Sequence, residues 1–147
     1  MEDNLIVNLR PLLIHSLNET GFYDQAIDLV RVPALKSAFA KYLWMRGEHI
    51  VGIRSFLVRA NCKLSEFDFA NCPDSAAWEA FRQTLNKHDG EALLRWGLQK
   101  GNLTLRKYES TLSNTSENKH LRCMLDHHMK DIRNSLDNLS GLKLSFR

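Results

Sequence analysis

Apolar residues recur along this chain at helical spacing almost throughout, and no segment alternates apolar and polar positions over the length that a half-buried strand needs. The pattern predicts an all-α protein. In the first segment the stripe Leu5, Leu9, Leu12, Ser16, Glu19, Tyr23, Ala26 and Val30 advances in alternating steps of four and three, the seam of a helix that packs on its neighbours at a shallow angle. A helix is expected over residues 4–31. Pro11 lies inside it, so the helix either begins there, with proline in its first turn, or bends after Asn8.

Val32-Pro33 ends the first helix, because proline lacks a donor and disfavours helical backbone in the residue before it, and Pro33 then opens the next helix. The second helix, over 33–60, carries the seam Leu35, Ala38, Tyr42, Met45, His49, Gly52 and Phe56, flanked by Phe39 and Ile53. So short a link makes the two helices an antiparallel hairpin. The periodicity lapses from Asn61 to Asp74, after which Pro73-Asp74-Ser75 offers the start of a short helix over 75–87 with Trp78, Phe81 and Leu85 on one side. Asp89-Gly90-Glu91 reads as the cap of a third long helix over 90–112, with the seam Leu94, Leu98, Gly101, Leu105, Tyr108 and Leu112. Ser116 is expected to cap a fourth over 116–139, with the seam Leu121, Leu125, His128, Ile132, Ser135 and Leu139, before Ser140-Gly141 stops it. Two hairpins joined by a long crossover make a single-domain up-down four-helix bundle over 1–147, the connectivity associated with ferritin-like folds.

Composition agrees with one globular domain: at 147 residues with 44% hydrophobic positions, a core can form without disulfides or metal. The three cysteines, Cys62, Cys72 and Cys123, are an odd number without a C-x-x-C pair, and the first residues lack the sections of a signal peptide. A reduced, cytoplasmic setting is expected. No apolar run approaches the roughly 20 residues that cross a bilayer, so no membrane association is expected. The net charge of +3 is spread without blocks of one sign. Arginines 46, 54, 59, 82, 95, 106, 122 and 133 are therefore expected on a solvated, salt-bridged surface, and nucleic acid is not expected as a partner.

Certain residues carry a family likeness. The run Glu19-Thr20-Gly21-Phe22-Tyr23-Asp24, then Pro33-Ala34-Leu35-Lys36 and Arg46-Gly47-Glu48 in the second helix, then Leu93 to Tyr108-Glu109 in the third, resembles an uncharacterised bacterial ferritin-like four-helix-bundle family. The resemblance implies the fold and oligomerisation, with a homodimer as the expected form. It assigns no reaction.

A ferritin-like di-metal centre takes a carboxylate from each of two helices and a Glu-x-x-His pair from each of the other two. Here the positions three before His49 and His128 are Arg46 and Leu125, and no Asp or Glu lies between Glu91 and Glu109. At the middle of the third seam stands Gly101, so a di-metal centre is not expected. A glycine there costs about 1 kcal/mol of helix propensity, which suggests close approach by a bulky neighbour such as Trp44, Tyr23 or Tyr42. Glu19, on a core seam, is expected to pair with Arg46, His49 or tyrosines across the bundle, to join Glu48, His49 and His128 around a single Fe, Mn or Zn ion, or, under a shifted register, to lie at the bundle's edge. His120 and His127 are expected to face solvent. The tryptophans are expected in the core or an interface, and Trp96, off its seam, under the crossover or at a subunit contact. No nucleophile beside a base and no glycine-rich phosphate loop is present. The chain thus reads as a non-catalytic bundle without a cofactor that works by self-association or by binding another protein, with the single-metal protein as the alternative.

Overall fold

A computed structural model of the chain describes residues 2–28, 30–60, 79, 80, 82, 83, 90–115 and 117–142. Its long elements are four helices, α1 (Glu2–Ile27), α2 (Pro33–Arg59), α3 (Gly90–Asn114) and α4 (Lys119–Gly141), and no strand occurs among the described residues. α1 passes through Pro11 rather than starting there. Proline deprives the Val7 carbonyl of its donor, and Val7 and Pro11 are both exposed, on the side of the helix where a carbonyl without an intrahelical partner costs least. α1 stops at Ile27, short of the expected end, while Val30 stays buried and donates its N–H to the Ala26 carbonyl at 3.0 Å.

Pro33 opens α2 behind an extended Val32, as the sequence requires. The start of α4 falls later than expected: its cap is Asn118, whose side chain accepts the Leu121 N–H at 3.0 Å. Ser116, Asp89, Cys62, Cys72, Phe67, Phe69, Trp78, Phe81 and Leu85 lie outside the described residues. Of the short helix expected over 75–87, only residues 79, 80, 82 and 83 are described, and they are helical.

α1 and α4 each pack against both α2 and α3. His15 meets Thr104 while Tyr23 meets Trp96, so α1 and α3 are antiparallel. Met45 meets Ser135 and His49 meets Asp131, so α2 and α4 are antiparallel too. With the hairpins, this sends α1 and α4 one way and α2 and α3 the other. The chain between Ala60 and Gly90 therefore joins opposite ends of the bundle. No helix among the described residues is long and apolar enough to cross a membrane.

The α1 seam is buried as its spacing predicts, from Leu9 to Val30. α2 is rotated from expectation: its inner face runs Leu35, Phe39, Tyr42, Arg46, His49, Ile53, Leu57, while Ala38, Met45 and Gly52 are half-buried on its flank. From Tyr42 the seam can step three to Met45 or four to Arg46, and it takes the charged residue. α3 likewise buries Leu94, Gly97, Gly101, Thr104, Tyr108 and Thr111 and leaves Leu98, Leu105 and Leu112 half-buried. Small residues let α4 come close. A Cβ on Gly101 would overlap Leu136, and one on Gly97 would sit 3.0 Å from Leu139 and 3.1 Å from Phe39. The bulky neighbour of Gly101 is thus Leu136, not Trp44, Tyr23 or Tyr42. Trp44 is 72% exposed, whereas Trp96 packs its ring on Phe22, Tyr23 and Phe39.

Candidate functional site: a buried arginine and glutamate layer

Between the aromatic cluster around Tyr23 and the aliphatic end built from Leu9, Leu12, Ile53 and Leu57, the bundle interior is polar. Arg46, expected on the surface, is fully buried at its centre. Its guanidinium donates through Nε to Glu19 Oε1 at 2.8 Å, through one terminal nitrogen to Tyr108 Oη at 2.7 Å and His49 Nδ1 at 2.8 Å, and through the other to Ser16 Oγ at 2.5 Å. A fixed planar fork of five N–H bonds is what reaches four partners on three helices at once; a lysine could not.

Glu19 is the matching acceptor. Besides Arg46 it takes the Tyr42 hydroxyl at 2.9 Å and the Thr104 hydroxyl at 2.6 Å, both on Oε2. Thr104 has one proton, and the shorter contact to a carboxylate commands it. Thr104 then accepts from His15 Nε2 at 2.9 Å. Burial works against the Arg46 charge, but Glu19 and the surrounding hydroxyls outweigh that cost and hold the guanidinium above its usual range. Burial, with Glu19 adding to it, raises Tyr42 well above the ordinary phenol.

The two seam histidines lie face to face, ring centroids 4.0 Å apart at 19°. His49 Nδ1 faces a cationic donor, so its proton is on Nε2, which donates to Asp131 Oδ2 at 3.0 Å. Tyr108 accepts from Arg46, so its own hydroxyl proton goes to His128 Nδ1 at 3.0 Å. Burial pushes His49 down to about 4, against the pull of Asp131, and pushes His128 down to about 3, with His49 and Arg46 adding to it. The His49 contact with Asp131 therefore lies at ion-pair distance but is a hydrogen bond from a neutral ring. His15 is lowered by burial as well.

Of the four residues that the sequence groups as a single-metal set, the structure brings three into this layer. Glu48 is not among them: it is exposed, on the outer side of α2. Its neighbour Arg46 points inward instead, which turns Glu48 away. His120 and His127 are exposed, as their spacing implies, with His127 Nε2 3.7 Å from Asp131. Sequence reasoning expected tyrosines across the bundle without singling out Tyr108, and it missed Ser16 as a polar partner and Thr104 and Asp131 altogether. A heptad step from Gly101 to Thr104 and on to Tyr108 was the available signal.

The acceptor atoms of this donor set are taken up within the protein. Both Glu19 oxygens and the Nδ1 atoms of His49 and His128 already accept hydrogen bonds, and the Arg46 guanidinium, itself a cation, stands in contact with Glu19 and His49. Among the described residues no group of three or more His, Cys, Asp or Glu is placed to hold a metal ion. The adjoining cavity, about 20 Å³ and lined by Tyr23, Phe39, Tyr42, Gly97, Ser135 and Leu136 among others, has room for about one water molecule. Comparison with known proteins finds no matching family model, no curated relative and no solved structure.

Proposed function

We propose that the chain is a ferritin-like bundle in which an arginine fills the layer where such folds hold metal, and that it acts without catalysis, by self-association or by binding another protein in the cytoplasm. The single observation that carries this reading is Arg46: a buried cation, hydrogen-bonded to Glu19, His49 and Tyr108, takes the place of an incoming ion. The layer then serves register. A buried polar set whose members satisfy one another penalises every alternative pairing of the helices, since each slip strands a charge away from water. In support, the long connection between parallel, diagonal helices α2 and α3 is the one ferritin-like bundles use.

Elemental analysis of protein purified without an affinity tag tests this reading. Iron, manganese and zinc are expected far below one per chain, unchanged in Glu19→Ala and His49→Ala. Stoichiometric metal that either substitution removes would overturn it in favour of a single-metal protein.

A further inference from the structure

The outer face of α2 holds three of the six exposed large apolar side chains among the described residues, Trp44 being the most exposed of all. Trp44, Val51 and Val58 recur every seven residues, at 72%, 63% and 55% exposure. Positions seven apart drift by only about 20° around a straight helix, so these three form a gently slanting apolar ridge pointing away from the bundle interior. Single exposed apolar residues are ordinary, but an aligned row headed by a tryptophan is the composition of an interface.

The flanks of the ridge select its occupant. On one side stand Lys41 and Glu48, seven residues apart, both exposed, and neither forms an ion pair among the described residues. On the other side stand exposed Ala40 and half-buried Gly47, and a Cβ on Gly47 would meet nothing within 4 Å. When two copies of one helix pack antiparallel about a two-fold axis, each flank faces the same flank of the other copy, and residues equally far from the axis meet. With the axis at Trp44, the two tryptophans meet at the centre and Val51 lies over exposed Ser37 of the second copy, while Val58 reaches past the start of its α2. On the flanks, three residues on one side of the axis against four on the other, Lys41 lies within about one residue's rise of Glu48 of the second copy and Ala40 of its Gly47. The two ion pairs form reciprocally. The two small-residue contacts let the backbones come close. In a parallel pairing unlike flanks meet, so Lys41 and Glu48 would lose each other.

We infer that the Trp44 ridge of α2 is a homodimer interface, two copies packing α2 against α2 antiparallel with Trp44 at the two-fold axis and Lys41 paired with Glu48 across it. This rests on the reading of the protein as a self-associating bundle and names the surface that does it. A closed isologous contact of this kind produces dimers and no larger assembly.

Sedimentation of the full chain over a range of concentrations tests it. The wild type is expected to be a dimer. Trp44→Ser, which removes only an exposed side chain, is expected to yield a monomer of unchanged helicity. Lys41→Glu and Glu48→Lys are each expected to weaken dimerisation roughly tenfold by placing like charges opposite one another. The double exchange restores the pairing, and with it the wild-type dissociation constant. Several results would overturn the inference: a monomeric wild type, a dimer indifferent to Trp44→Ser, a double exchange no better than either single, or a monomer with Trp44 shielded from a fluorescence quencher, which would place another part of the same chain over the ridge. None of these bears on metal content, so they leave the reading of the buried layer to its own test.

Discussion

Arg46 and Glu19 meet across the α1 and α2 interface at 2.8 Å with 0% and 3% of their side chains exposed, and each is the centre of a separate fan of hydrogen bonds. The arginine only donates and the carboxylate only accepts. Every other polar side chain in the layer bridges or extends one of these two fans, so the pair organises the middle of the bundle.

Removing one partner leaves the other charged and buried. Glu19→Gln and Arg46→Met are each expected to destabilise the protein by about 3–5 kcal/mol, measured as the shift of a urea unfolding midpoint at constant slope. The double variant is expected to cost less than the sum by at least about 1 kcal/mol. Additive losses would mean that the two side chains act independently.

Acid is expected to unfold the protein through His49 and His128. Both rings are neutral in the fold, with their affinities for a proton lowered from 6.5 to about 4 and about 3. In the unfolded chain each takes up a proton near its ordinary value, so below that pH the unfolded state binds more protons and stability falls as pH falls. The loss begins near pH 6.5 and levels off only when the folded rings protonate, near 4 and 3. At pH 5 the two together are worth about 4 kcal/mol. His128→Asn is expected to lose roughly half of this dependence in urea titrations between pH 7 and about 5. An unaltered slope would show that His128 does not titrate in this way.

Two glycines in helices make opposite forecasts. Gly101→Ala drives a methyl into Leu136 and is expected to destabilise by about 1–3 kcal/mol, despite the gain in helix propensity. Gly21→Ala meets open space in α1 and is expected to stabilise by roughly 0.5–1 kcal/mol. Thermal unfolding of the pair, read against wild type, checks both signs.

The elements were legible in the sequence because their seams are regular and proline punctuates them: α1 and α2 lie close to their expected spans, and the hairpin turn falls at Val32-Pro33. Rotation about the helix axis was harder to read. On α2 the pattern offered Met45 or Arg46 for the centre of the buried face, and hydrophobicity alone selects Met45. Arg46 is inside because Glu19, Tyr108, Ser16 and His49 converge on it from three helices, a condition that no local window contains. The same shift put Trp44, expected in the core or an interface, on the surface and carried Glu48 with it. Glu19 could be placed on a core seam from spacing, and Arg46 stood among its expected partners. The depth of that pairing could not be seen until the helices were assembled.

Nitrogen-15 NMR of the histidine rings, followed at neutral pH as manganese or zinc is added, tests the buried layer most directly. The account predicts that His49 and His128 are neutral, carry their protons on Nε2 and keep their signals unbroadened and unshifted by either ion. Selective broadening by manganese or a zinc-dependent shift at an inner ring nitrogen, abolished by Glu19→Ala, would contradict it.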